Sequence, residues 1–152
     1  MPWIENVAAI DVTKRHHHEA GENSMLISIT DPAGWRPEAM HTFKERHDFE
    51  FLDADSGFPE ECLISDTQAQ EIVRLLQHAQ ANSMNVVVHC TAGLCRSGAV
   101  AEVGVMMGFG DTERTRIPNI RVKHKMMKAL GWTYDENEKP DDDAWRRMKL
   151  DY

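Results

Sequence analysis

The chain has 152 residues, 41% of them hydrophobic and 28% charged, with a formal net charge of −8. That length and balance suit one globular domain over residues 1–152 with one core, and the acidity argues against a general nucleic-acid binder, which needs a basic face. No apolar run approaches the ~20 residues that span a bilayer, and the opening MPWIENVAAIDV lacks the basic stretch of a secretory signal, so the expectation is a cytoplasmic protein without a membrane partner.

In chain order, residues 4–12 (IENVAAIDV) read as a first strand, and 14–24 (KRHHHEAGENS) as a loop or short helical turn. Three adjacent histidines cannot all converge on one ion, so 16–18 read as solvated. MLISIT, 25–30, is a strand-length apolar run that Asp31-Pro32 ends. Trp35 and Arg36 follow, either anchoring a loop or lining the mouth of a site. HDFEFLDA, 47–54, alternates like a half-buried strand, and DADSGFPEECLISD is a polar loop. Ser65 or Asp66 can cap a helix over 67–82, where Ala69, Ile72, Val73, Leu76 and Ala79 repeat at helical spacing.

NVVVH, 85–89, is apolar enough for a central strand. A helix rich in small residues follows from 96 to about 108, closed by GFGD, and a last helix over about 119–130 stops at Gly131. Met106, Met107, Met126 and Met127 read as core filler. Arg114, Arg116, Arg121, Lys123 and Lys125 form either a solvated helix face or a patch for an anionic substrate. Residues 133–152 form an acidic, Pro-containing tail that docks through Trp145 or stays partly mobile. Strands alternating with helices from 47 onward predict an α/β fold, a central, mostly parallel sheet flanked by helices.

The three cysteines, Cys62, Cys90 and Cys95, are odd in number and lack metal-ligand spacing, which argues against a disulfide scaffold and a structural zinc. Neither a metal nor a cofactor is expected. The stretch VVVHCTAGLCRSGAVAE, 86–102, carries the chemistry instead. A buried strand ends in His89-Cys90, and Thr91, Ala92, Gly93, Leu94 and Cys95 curl toward Arg96, where a helix begins. A tight loop of this kind aims its amides inward as an anion nest, and the helix N-terminus adds positive potential. A guanidinium holds two phosphate oxygens bidentately. The same potential favours a thiolate over a thiol, which makes Cys90 a nucleophile beneath a bound phosphorus.

HCTAGLCRSG resembles the HCxxGxxR[ST] signature of the cysteine-dependent protein tyrosine and dual-specificity phosphatases. The bare C-x5-R is weak; His89, Gly93 and Ser97 in register, between a β run and a helix, make it specific. The likeness in the order of elements extends over about residues 25–108. It implies a phosphomonoester hydrolase working through a phosphocysteine on Cys90. Arg96 would bind the phosphoryl group, Ser97 would assist the sulfur as it leaves, and His89 would set the cysteine's geometry. The general acid it implies is an aspartate some 30–40 residues upstream. Asp55, in an Asp-x-x-x-Pro arrangement, comes first, Asp53 second, and the helix-capping Asp66 third. In the low-molecular-weight phosphatases a cysteine also stands just before the arginine, which makes Cys95 a redox candidate, with Cys62 behind it.

The expected substrate is a phosphorylated protein or a small phosphomonoester, since Thr91–Leu94 carry no charge. The rivals are a phosphoryl-binding module without turnover, or a C-x5-R enzyme acting on nucleotides, RNA ends, phosphoinositides or arsenate.

Overall fold

The computed structural model describes residues 1–140. Strands β1 (Trp3–Ala8), β2 (Ser24–Thr30), β3 (Glu45–Glu50), β4 (Asn85–Cys90) and β5 (Gly110–Asp111) form one sheet in the order β3-β2-β4-β1-β5. Every pairing is parallel. Helices α2 (Asp66–Ala81), α3 (Arg96–Met107) and α4 (Ile120–Ala129) pack together on one side, over a core that includes Ile27, Ile29, Ile72, Leu76, Val86 and Val88. The other side is thinner. It holds α1 (Ala9–Lys14), the irregular segment 31–44, and a small cluster of Val7, Val12, Ala20, Leu26 and Val87. An all-parallel sheet must be covered on both faces, and β4, at its centre, is buried along Val86–Cys90.

The expected elements are present, but two strands have other bounds, and β5 forms within the GFGD read as a helix stop. The strand predicted over 4–12 ends at Ala8, and the next six residues form α1. Ala9 and Val12 are its buried positions, a helical spacing, but two positions are too few to set a helix apart from the apolar run before them. The strand expected over 47–54 starts and stops earlier, because Leu52 N–H leaves the ladder for the carbonyl of Cys62 at 2.7 Å. Met126 and Met127 are buried as expected, whereas Met106 is exposed on the outer face of α3. Of the two caps considered for α2, Ser65 is the one used. Its Oγ accepts from Gln68 N–H at 3.1 Å, and Gln68 Oε1 accepts from Ser65 N–H at 3.0 Å. Most of the acidic tail, with Trp145, lies outside the described residues.

Candidate active site

The β4–α3 connection turns within five residues, Thr91–Cys95, and two neighbours hold it in place. Asn6, buried on β1, donates through Nδ2 to the carbonyls of Gly93 (2.7 Å) and Thr115 (3.0 Å). Gly93 has φ +74, and a Cβ there would run into the backbone of Val7 and Ala8. The curl therefore requires glycine on two counts, conformation and space. Leu94 and Cys95 carbonyls accept from Ile117 and Asn119 N–H at 2.9 and 3.0 Å, which ties the loop to the segment leading into α4.

Cys90 is 3% exposed at the carboxyl end of β4, and its Sγ lies 3.1 Å from Ser97 Oγ in the first turn of α3. Arg96, buried, spreads its guanidinium across the loop. Nη2 donates to Thr91 Oγ1 (3.1 Å), and Nη1 donates to the carbonyl of Phe51 (2.8 Å) and to Asp31 Oδ1 (2.7 Å). Its Nε is buried with no partner among the described residues. Cysteine, arginine, serine and helix N-terminus thus converge around one loop, an arrangement that can hold an oxyanion beside a sulfur nucleophile.

His89 sits behind the loop with no exposed surface. Its Nδ1 lies 3.3 Å from the Cys90 carbonyl, which can only accept, so Nδ1 carries the proton. Nε2 then accepts from Ser28 Oγ at 2.6 Å, and Ser28 in turn accepts from Arg46 Nη2 at 3.4 Å. Ser28 faces His89 through the β2–β4 register. Burial pushes the imidazole pKa down to about 4, against the upward pull of its bond to the Cys90 carbonyl, so the ring is neutral at physiological pH.

The three aspartates proposed as acids lie in different settings. Asp53 Oδ1 accepts from Asn119 Nδ2 at 2.8 Å, and its charge acts on the nearby Cys95 thiol. Asp55 Oδ1 accepts from Arg121 N–H at 3.0 Å, at the N-terminus of α4. Asp66 is paired with Lys125 and Lys128, Lys125 above all holding it below the usual carboxylate range. Asp53, Asp55, Cys95 and Asn119 line a cleft of about 160 Å³ at the loop's outer rim.

The three cysteines are free. Burial, then the charge of Asp53, pushes the Cys95 thiol up to about 12 and keeps its proton on. Cys62 sits in the 60–62 turn. The basic stretch is ion-paired throughout: Arg114 to Glu5, Arg116 to Asp111, Arg121 to Glu60, Lys123 to Glu102 and Glu138, and Lys125 to Asp66. It is a face of internal pairs rather than a free cationic patch.

Asp31, Asn6, Ser28 and Asn119 were not singled out from the sequence as site residues. Only Asn119 carries a local signal: it follows a proline and caps α4, its Oδ1 accepting from Val122 N–H at 3.0 Å.

No protein-family model and no curated protein sequence matches the chain. Solved structures do. Human DUSP28 is 12% identical, with 99% of this chain and 91% of that chain covered at a TM-score of 0.55. OH1 from the Orf virus is described as a tyrosine phosphatase with distinct structural features and triple substrate specificity. It is 15% identical, with 84% of this chain and 82% of that chain covered at a TM-score of 0.51. The five-stranded parallel sheet with its flanking helices is therefore the fold of the dual-specificity and tyrosine cysteine phosphatases.

Proposed function

We propose that the protein is a phosphomonoester hydrolase of the protein tyrosine and dual-specificity type, residues 1–152 acting as one domain. The observation that carries this reading is Cys90 Sγ set 3.1 Å from Ser97 Oγ, beneath a loop spanned by the Arg96 guanidinium. In the first step the Cys90 thiolate attacks phosphorus, the bond to the ester oxygen breaks, and that oxygen takes a proton from an aspartic acid. Arg96 and the loop amides hold the three remaining oxygens. In the second step water attacks phosphorus, gives its proton to the same aspartate, and releases Cys90, whose departing sulfur accepts a hydrogen bond from Ser97. Neutral His89 fixes the Cys90 carbonyl from behind the loop and adds no positive charge of its own.

For the acid we favour Asp53 over Asp55. Asp53 follows Phe51, whose carbonyl holds Arg96, by two residues, and its charge acts on Cys95 of the loop itself. Asp55 is instead engaged by the α4 amide and lies beside Arg121. A thiol nucleophile with two further free cysteines suits a reducing, cytoplasmic setting.

A second reading, a phosphoryl-binding module without turnover, draws on Asp31, whose carboxylate already occupies Arg96 at 2.7 Å. Hydrolysis of p-nitrophenyl phosphate, with EDTA and a thiol present, separates the two. Wild type should turn over, Cys90→Ser should lose all measurable activity, and Asp53→Asn should lose about 10²–10⁴-fold together with the basic limb of its pH profile. Asp55→Asn should lose less. No turnover by wild type while vanadate still binds would establish the second reading, and a larger loss in Asp55→Asn would make Asp55 the acid.

A further inference from the structure

Among the described residues six large apolar side chains are exposed: Met1, Ile10, Trp35, Met40, Phe58 and Met106. Three of these lie side by side, next to the phosphate-binding loop. Ile10 and Trp35 line a cleft of about 300 Å³ that reaches Asp31 and Thr91. Trp35 and Met40 line an adjoining, more open cleft of about 590 Å³. Asp31 and Thr91 are also partners of Arg96, so the first cleft borders the bowl in which a phosphoryl group would sit. The strip is anchored to the fold, since Met40 N–H donates to the Val12 carbonyl at 2.9 Å.

We propose that Ile10, Trp35 and Met40 form a docking surface for a large apolar side chain flanking the phosphorylated residue of a polypeptide substrate. This rests on the hydrolase reading above and adds the kind of substrate. Charge decides the class of partner. A nucleotide, an inositol phosphate or an RNA end brings further anionic groups and needs further cations beside the bowl. The strip offers the reverse. Asp31 and Glu38 stand along it, and its arginine, Arg36, is bound to Glu50 at 3.2 Å. An apolar side chain loses water against Trp35, and tryptophan is among the residue types enriched where such contacts are anchored. The two clefts together exceed what one leaving group fills, which leaves room for a neighbouring side chain.

The test uses two phosphotyrosyl peptides, identical except that the residues on both sides of the phosphotyrosine are leucine in one and serine in the other. kcat/KM is measured with wild type, Trp35→Ser and Met40→Ser, and Kd is measured with each substitution placed on Cys90→Ser. The leucine peptide should be preferred about tenfold in both quantities, since burying a leucine is worth at least that factor. Trp35→Ser should bring the ratio below about twofold. Because the ratio is taken within each protein, a partly folded variant does not distort it. Equal use of the two peptides by wild type, or a preference that survives both substitutions, overturns the proposal. So does tighter binding of inositol hexakisphosphate than of either peptide, or Trp35-dependent sedimentation with phosphatidylcholine vesicles without peptide preference. Turnover of p-nitrophenyl phosphate reports separately on the reaction class. If it is absent, the Kd ratio still judges the strip.

Discussion

The two faces of the sheet are built differently. The α2–α4 side is a continuous apolar core in which Ile72, Leu76, Val86, Val88 and Val100 are inaccessible to solvent, and Cys90 belongs to it. The α1 side has a small core, buried polar groups such as His17, Ser24, Ser28, His41 and His89, and the exposed strip of Ile10, Trp35 and Met40. One face packs densely and sets Cys90 on a rigid base. The other, with one short helix and an irregular 31–44 segment, is more thinly covered. The loop from Cys90 to Arg96 lies where the faces meet, at the carboxyl edge of β4.

This contrast can be broken or sharpened by experiment. The largest effect should come from the loop itself. Gly93→Ala forces a Cβ into the backbone of β1 at a φ that side chains avoid, so it should cost more than about 4 kcal/mol in urea unfolding and abolish phosphate binding. A well-folded variant with intact binding would show that the loop adapts.

A truncation in the dense core comes next. Leu76→Ala should cost about 2–5 kcal/mol, whereas Trp35→Ser, exposed on the other face, should stay within about 0.5 kcal/mol. Comparable losses would mean that the α1 side carries more of the stability than its packing indicates.

The smallest effect at neutral pH, and a growing one in acid, concerns His89. Its folded pKa of about 4 lies below the ordinary 6.5, so between these values the unfolded chain binds a proton that the fold refuses. The stability due to the neutral ring is therefore complete above pH 6.5 and falls as pH drops toward 4, by about 3 kcal/mol in all. In His89→Asn that component of the pH slope should vanish. Parallel slopes in the two proteins would show that His89 titrates normally in the fold.

What was legible in the sequence was contiguous or periodic. β4, α2, α3 and α4 announced themselves through apolar runs, helical spacing and stop signals, and the tight turn from His89 to Ser97 showed itself within nine residues. α1 was misread as strand because six residues are too few for a period to declare itself. The choice between Asp53 and Asp55 lay two residues apart in a polar loop, where composition does not discriminate. It turns on Asn119 and Arg121, each 66 residues further along the chain.

The local arrangement of the site, a cysteine and an arginine around a tight loop at a helix N-terminus, is thus determined by the sequence alone, because every group that makes it belongs to one short segment whose turn, strand and helix are locally encoded. Its surroundings were decided by the tertiary structure. Asp31 reaches Arg96 across 65 residues, Asn6 reaches Gly93 across 87, and Ser28 reaches His89 across 61. Such contacts exist only after the parallel strands have fixed their register, and exposed apolar residues become a surface only when the chain brings Ile10, Trp35 and Met40 to the same edge.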